Sequence, residues 1–166
     1  MGEKYMSIYL DNAATTKPCK ESVDAALKCM VEDYGNPSSL HKLGLNAELH
    51  ITEARKSIAN AFSCDATNIF FTSGATESNN TAIIGLAQRY GKRKKKIVTT
   101  TIEHPSVAEP INFLEEHGFN IIRVAPDKNG LISADDIINA VDEDTCFISC
   151  MYVNNETGLI LPIKKA

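Results

Sequence analysis

Between residues 17 and 62 the apolar positions recur at helical spacing. Val23, Ala26, Leu27, Met30 and Val31 share one face of a predicted helix that stops near Tyr34-Gly35-Asn36-Pro37. Thr16 stands where its cap is expected, with Pro18 in the tolerated first turn. Leu45, Leu49, Ala54, Ile58 and Ala61 mark one face of a second helix over about 40–62. After that the pattern changes to short apolar runs alternating with helical stretches. Strands are predicted at 68–71, 97–101, 120–124 and 145–153. Helices are predicted at 77–90, at 105–118 and, capped by Ser133, through Val141. The run from Thr145 to Val153 is nearly continuous in apolar residues, the pattern of a strand covered on both faces.

Alternation of this kind builds right-handed crossovers and a mostly parallel sheet flanked by helices, so the expected class is α/β. The chain ends soon after its most apolar strand, at Pro162-Ile163-Lys164-Lys165-Ala166. A central strand needs neighbours on both sides, and the sequence reads as interrupted. The division expected is an N-terminal arm over 1–16 and a partial domain over 17–166.

Composition narrows the function classes. With 166 residues, 43% hydrophobic and 23% charged, the chain has the make-up of one folded domain. A net charge of -4 offers no basis for nucleic acid as a partner. No stretch approaches the roughly 18–20 apolar residues of a membrane span, and residues 1–10 lack a signal-peptide core. A cytoplasmic protein with no membrane partner is expected. The five cysteines include no C-x-x-C pair, and the four histidines have no metal-ligand spacing, so no metal site is predicted. Cys146 and Cys150 lie four apart in the last strand and are expected on one face as a buried thiol pair. The basic run Lys92-Arg93-Lys94-Lys95-Lys96 reads as a solvated connector.

Candidate chemistry collects at the ends of the strands. In Phe71-Thr72-Ser73-Gly74-Ala75-Thr76-Glu77 a strand gives way to a helix through small residues. Free amides and the positive end of a helix dipole make such a turn an anion site, with the Thr76 hydroxyl as a further donor. Taken alone, Gly74-Ala75-Thr76 is equally well a tight turn. Neither a G-x-G-x-x-G nor a lysine-bearing phosphate loop is present. Ile102-Glu103-His104-Pro105 and Asn154-Asn155-Glu156-Thr157-Gly158 follow two other strands, and in a parallel sheet all three loops open on one edge. A histidine at a helix start is commonly a cap, and two asparagines before Glu-x-Gly are commonly a turn. The convergence of the three loops favours a ligand site.

Five segments, in order, carry a more specific signal: Tyr9-Leu10-Asp11-Asn12-Ala13-Ala14-Thr15-Thr16, Gly35-Asn36-Pro37-Ser38-Ser39, Phe71-Thr72-Ser73-Gly74-Ala75-Thr76-Glu77-Ser78, Thr101-Ile102-Glu103-His104 and Val153-Asn154-Asn155-Glu156-Thr157-Gly158. From residue 8 to the end the chain resembles the cysteine desulfurases, homodimeric class V aminotransferase relatives of fold-type I that depend on pyridoxal 5'-phosphate (PLP). The resemblance implies the N-terminal part of the PLP-binding large domain. It implies that Ala75 and Thr76 hold the cofactor phosphate and that Asn155 bonds the ring's phenolic oxygen. His104 would stack on the ring and relay protons as a catalytic residue.

The family's remaining machinery has no counterpart here. It comprises an aspartate for the pyridine nitrogen, a Ser-His-Lys segment whose lysine binds the cofactor covalently, an arginine for the substrate carboxylate and a mobile-loop cysteine. The whole enzyme would convert L-cysteine to L-alanine. Its sulfur would pass as a persulfide to an acceptor or scaffold protein, for iron-sulfur cluster assembly or another sulfur-transfer pathway. The expectation for this chain alone is an inactive N-terminal fragment with weak or absent PLP binding. A non-catalytic interaction module derived from the fold is the alternative from a different class. Selenocysteine lyase or another class V PLP enzyme is the alternative within it.

Overall fold

The computed structural model describes residues 8–165, so the first seven positions of the expected arm lie outside the described residues. The chain divides into two compact units, one up to Phe71 and one from Thr72.

The first unit is helical. Helix α1 spans Lys20–Val31 and begins at Cys19, without a side-chain cap. Thr16 is therefore not its cap. The Thr16 hydroxyl instead donates to the Asn12 carbonyl within the preceding turn (3.3 Å), and Pro18 lies just outside the helix. Val23, Leu27 and Met30, the expected apolar face, are exposed and line a shallow groove. Helix α2 spans Lys42–Phe62 and starts at His41, whose Nδ1 accepts from the Gly44 amide. Asp33 receives His50 Nε2 (2.8 Å) and Asn46 Nδ2 (3.4 Å), tying the end of α1 to α2. These contacts hold the Asp33 carboxyl below its ordinary range, the His50 bond most of all.

The segment expected as the first strand is not one. Residues 66–68 form a single 3-10 turn, and Ile69–Phe71 join no sheet. The Arg55 side chain of α2 takes over the tethering: its Nε donates to the Ile69 carbonyl (3.1 Å) and its guanidinium lies 5.3 Å from the Phe71 ring. With Phe70 82% exposed, the run lacks the cross-strand packing that makes an apolar tetrapeptide a strand.

The second unit is a three-layer α/β arrangement. Its elements are α3 (Ala75–Tyr90), β1 (Lys96–Thr100), α4 (Pro105–Glu116), β2 (Asn120–Val124), α5 (Ala134–Ala140) and β3 (Thr145–Ile148). The strands are parallel in the order β2-β1-β3, with Ile97 opposite Ile121 and Phe147. The α/β class and the parallel sheet match the sequence pattern. Alternation along β1 sends Ile97 to one face and Val98 to the other. Ile97 packs with Ile83 and Ala87 of α3 and with Ile111 and Leu114 of α4. Val98 packs with Val124, Ile132, Leu161 and Ile137 of α5. Ser133 caps α5 as expected, its hydroxyl accepting from the Asp136 amide.

Strand β3 departs from expectation twice. It stops at Ile148 rather than Val153, and its residues are half-buried or exposed rather than covered on both faces. Tyr152 and Val153 are about half exposed, and beyond the strand Val153 makes only an isolated antiparallel bridge to Ile160. The register also slips: Lys96 faces Thr145, but Ile97 faces Phe147, so Cys146 is one residue extra. Such a bulge reverses the alternation beyond it. Cys146 and Phe147 thus both pack on the Ile97 side, and Cys150 packs on the Val98 side. The two thiols lie on opposite faces and form no pair. Burial pushes both thiols up, Cys150 to about 11, where the Glu103 charge adds to the effect.

The basic run is only partly solvated. Lys96 belongs to β1 and its Nζ bonds Asp142 (2.6 Å) and the Ala140 carbonyl (3.1 Å). Lys95 lies 4.4 Å from the centre of the Phe119 ring.

Candidate functional site

The loops after β1 and β3 face each other across a cleft of about 290 Å³. Thr101, Glu103 and His104 line one side, and Asn154, Asn155 and Thr157 the other. Both loops leave the carboxyl ends of parallel strands, the edge where open α/β sheets take their ligands.

Each wall is built by a buried or half-buried polar group. Glu103 Oε1 accepts from the Thr100 hydroxyl (2.7 Å) and from the Met151 amide (2.9 Å), joining the end of β1 to the segment after β3. Asn154 is 7% exposed and does more. Its Nδ2 donates to the Ile102 carbonyl (3.1 Å), and its Oδ1 accepts from the amides of Glu156 (3.0 Å) and Thr157 (2.9 Å) and from the Thr157 hydroxyl (3.1 Å). Gly158 closes the turn by donating to the Asn154 carbonyl (2.9 Å), at a φ of 72° that favours glycine. Asn154 is thus the turn residue, and this leaves Asn155 exposed in the cleft.

His104 caps α4. Its Nδ1 accepts from the Ser106 amide (3.1 Å) and lies 2.8 Å from the Ser106 hydroxyl. That hydroxyl accepts from Asn79 Nδ2 (2.8 Å), one turn into α3. His104 and Asn155 therefore share the cleft. Ala75 and Thr76 do not line it but stand at the start of α3, linked to His104 through Asn79 and Ser106.

The α3 start is open. Gly74 provides no side-chain cap, and a Cβ built there would meet nothing within 4 Å. The first helix amide with a backbone partner is that of Ser78, bonded to the Gly74 carbonyl (3.1 Å), so those of Ala75, Thr76 and Glu77 are unpaired among the described residues. The Thr76 side chain is exposed. The Glu77 carboxylate is engaged elsewhere, accepting from the Ser73 amide and hydroxyl (both 2.7 Å), which hold its carboxyl below the ordinary range. Three unpaired amides, a free hydroxyl and an unobstructed glycine fit a phosphate group.

Asn79, Ser106, Glu103 and Asn154 do not stand out individually in the sequence. Their partners are remote: Asn79 meets Ser106 27 positions away, and Asn154 meets Ile102 52 away. The only local signal was an asparagine pair before Glu-x-Gly, and it did not say which member folds inward.

The model for the class V aminotransferases matches residues 8–166. The chain belongs to the aminotransferase class-V family. Among curated class V relatives, a cysteine desulfurase IscS from Methanosarcina thermophila is 43% identical over 159 residues, which are 96% of this chain and 39% of that protein. A NifS/IcsS protein homolog from Lactobacillus delbrueckii is 44% identical, over 95% of this chain and 41% of its own length. The chain thus spans about two fifths of the length of these relatives. A NifS-like protein structure superposes with a TM-score of 0.91 at 39% identity, over 96% of this chain and 44% of the other. A structure of SspA in complex with cysteine superposes with a TM-score of 0.88 at 36% identity, over 96% and 46%. Among the described residues no helix is long and apolar enough to cross a membrane, and no group of three metal-ligating side chains occurs.

Proposed function

We propose that this chain forms the phosphate- and ring-holding part of a PLP-dependent cysteine desulfurase, within the large domain over 17–166. The observation that carries the reading is the pairing of an uncapped helix start at Ala75-Thr76 with a cleft that holds both His104 and Asn155. In this reading the amides of Ala75 and Thr76 and the Thr76 hydroxyl bind the phosphate, and the α3 dipole favours its charge by about 0.3–1 kcal/mol. Asn155 offers an amide N–H to a ring oxygen. His104 offers a flat face for stacking and, at Nε2, a group that can hold or pass a proton. Glu103 and Asn154 keep the two walls at their spacing. Bound PLP would supply the electron sink for charge developing at the substrate α-carbon.

The desulfurase assignment is supported by relatives about 40% identical across this region and by a structural neighbour solved with cysteine. The whole protein's substrate is then L-cysteine, its product L-alanine, and its sulfur passes to an acceptor or scaffold protein from a homodimeric enzyme. The protein is read as cytoplasmic. The chain has no Ser-His-Lys segment, so covalent attachment of PLP is not among its own contributions.

Amide and side-chain NMR shifts of the 15N-labelled chain, followed through a PLP titration, test the site. The expected result is weak binding with changes converging on Ala75, Thr76, His104 and Asn155. Changes elsewhere, with these four silent, would refute it. Incubation with PLP and L-cysteine should release no alanine or sulfide, and sustained turnover would overturn the division of labour.

A further inference from the structure

The hydrogen on the His104 ring can be located from its neighbours. Nδ1 receives the Ser106 amide N–H at 3.1 Å. A backbone N–H only donates, so Nδ1 carries no hydrogen in this arrangement. The Ser106 hydroxyl, in a residue 8% exposed, lies 2.8 Å from the same nitrogen. Asn79 Nδ2 donates to that hydroxyl oxygen at 2.8 Å, which turns the hydroxyl hydrogen toward Nδ1. The donors run one way, from Asn79 through Ser106 to His104. Nε2 is left as the ring's hydrogen-bearing nitrogen, and it has no protein partner among the described residues.

We propose that Asn79 and Ser106 are positioning residues that hold His104 as its Nε2–H form, so that the ring presents a hydrogen-bond donor to the cleft it lines. The helices α3 and α4 already pack through Ile83, Ala87, Ile111 and Leu114. The polar pair adds a hydrogen bond between the two helices, from Asn79 Nδ2 to the Ser106 hydroxyl. What this adds is direction, because a hydrogen bond to one imidazole nitrogen sets the state of the other. The importance of the lock for chemistry rests on the cofactor reading above, in which His104 contacts the bound ring.

Long-range 1H–15N correlation of the imidazoles in the full chain tests this, with His104 assigned by its loss in His104→Asn. At pH 8, without PLP, the expected spectrum has an unprotonated Nδ1 and a protonated Nε2, with widely separated shifts. Ser106→Ala removes the 2.8 Å hydroxyl contact but keeps the 3.1 Å amide bond to Nδ1, so the separation should narrow in part toward that of a freely exchanging imidazole. Asn79→Ala should narrow it less, and Ser106→Thr should restore it. Circular dichroism checks that each variant is folded; if Ser106→Ala is not, the half-buried Asn79→Ala carries the test. A hydrogen on Nδ1 in the unsubstituted chain, or full separation retained in the folded alanine variants, overturns the proposal. A chain that shows the lock and yet binds no PLP supports the proposal and counts against the cofactor reading instead.

Discussion

Replacing Asn154 and Asn155 by alanine, one at a time, should give opposite phenotypes although the residues are adjacent and identical. Asn154→Ala removes four hydrogen bonds to nitrogen and oxygen partners from a side chain that is 7% exposed. At about 0.5–1.5 kcal/mol net for each bond, the simple sum is about 2–6 kcal/mol. Glu156 and Thr157 are exposed, so their amides regain water and the three bonds to Oδ1 count toward the low end. The Ile102 carbonyl is half-buried and regains less. The expected loss is therefore about 2–3 kcal/mol. Asn155 has no side-chain hydrogen bond among the described residues, and its replacement should change stability by less than about 0.5 kcal/mol. Urea unfolding followed by circular dichroism measures both. With a slope of about 1–3 kcal/mol/M, Asn154→Ala should move the midpoint down by roughly 1 M while Asn155→Ala leaves it in place. In the PLP titration the order reverses for Asn155, which should weaken binding without loss of fold. Equal midpoints for the two variants would refute the assignment of Asn154 as the buried turn residue.

Thiol reactivity should follow the bulge in β3. With its pKa at about 11, Cys150 is roughly one part in a thousand thiolate at pH 8, whereas exposed Cys19 is lowered by its bond to Ser22. Timed alkylation with mass-spectrometric readout should label Cys19 early and Cys150 last, and early labelling of Cys150 would contradict its packing against Val98. Gly158→Ala places a side chain at a φ of 72° and should cost about 1–2 kcal/mol in urea unfolding; an unchanged midpoint would show that the turn does not need the left-handed conformation. The carboxyls of Asp33 and Asp142 are lowered, chiefly by His50 and by Lys96. Stability from groups lowered in the fold is present above the ordinary carboxylate value of about 4 and is lost as pH falls through the folded values. Urea midpoints should therefore hold steady down to about pH 4 and drop below it, and Asp142→Asn should flatten that drop. A decline already complete above pH 5 would place the sensitivity in other groups.

The apolar periods determined the α/β class and the span of β2, and a capping residue marked the start of α5 at Ser133, because alternation and capping act over a few residues. The order of the five motifs determined the family for the same reason, since each is a continuous segment. What sequence could not settle was decided by contacts far along the chain. The run at Ile69–Phe71 is tethered by Arg55 instead of by a strand, and one extra residue at Cys146 sends two thiols expected together to opposite faces. Asn154 turns inward because Ile102 supplies a carbonyl for it, and that leaves Asn155 for the cleft. The direction of the hydrogen on His104 depends on Asn79, which neither local spacing nor residue type could have placed beside Ser106. Period and propensity are local properties, whereas the partner of a buried polar atom is chosen only when the helices and strands pack.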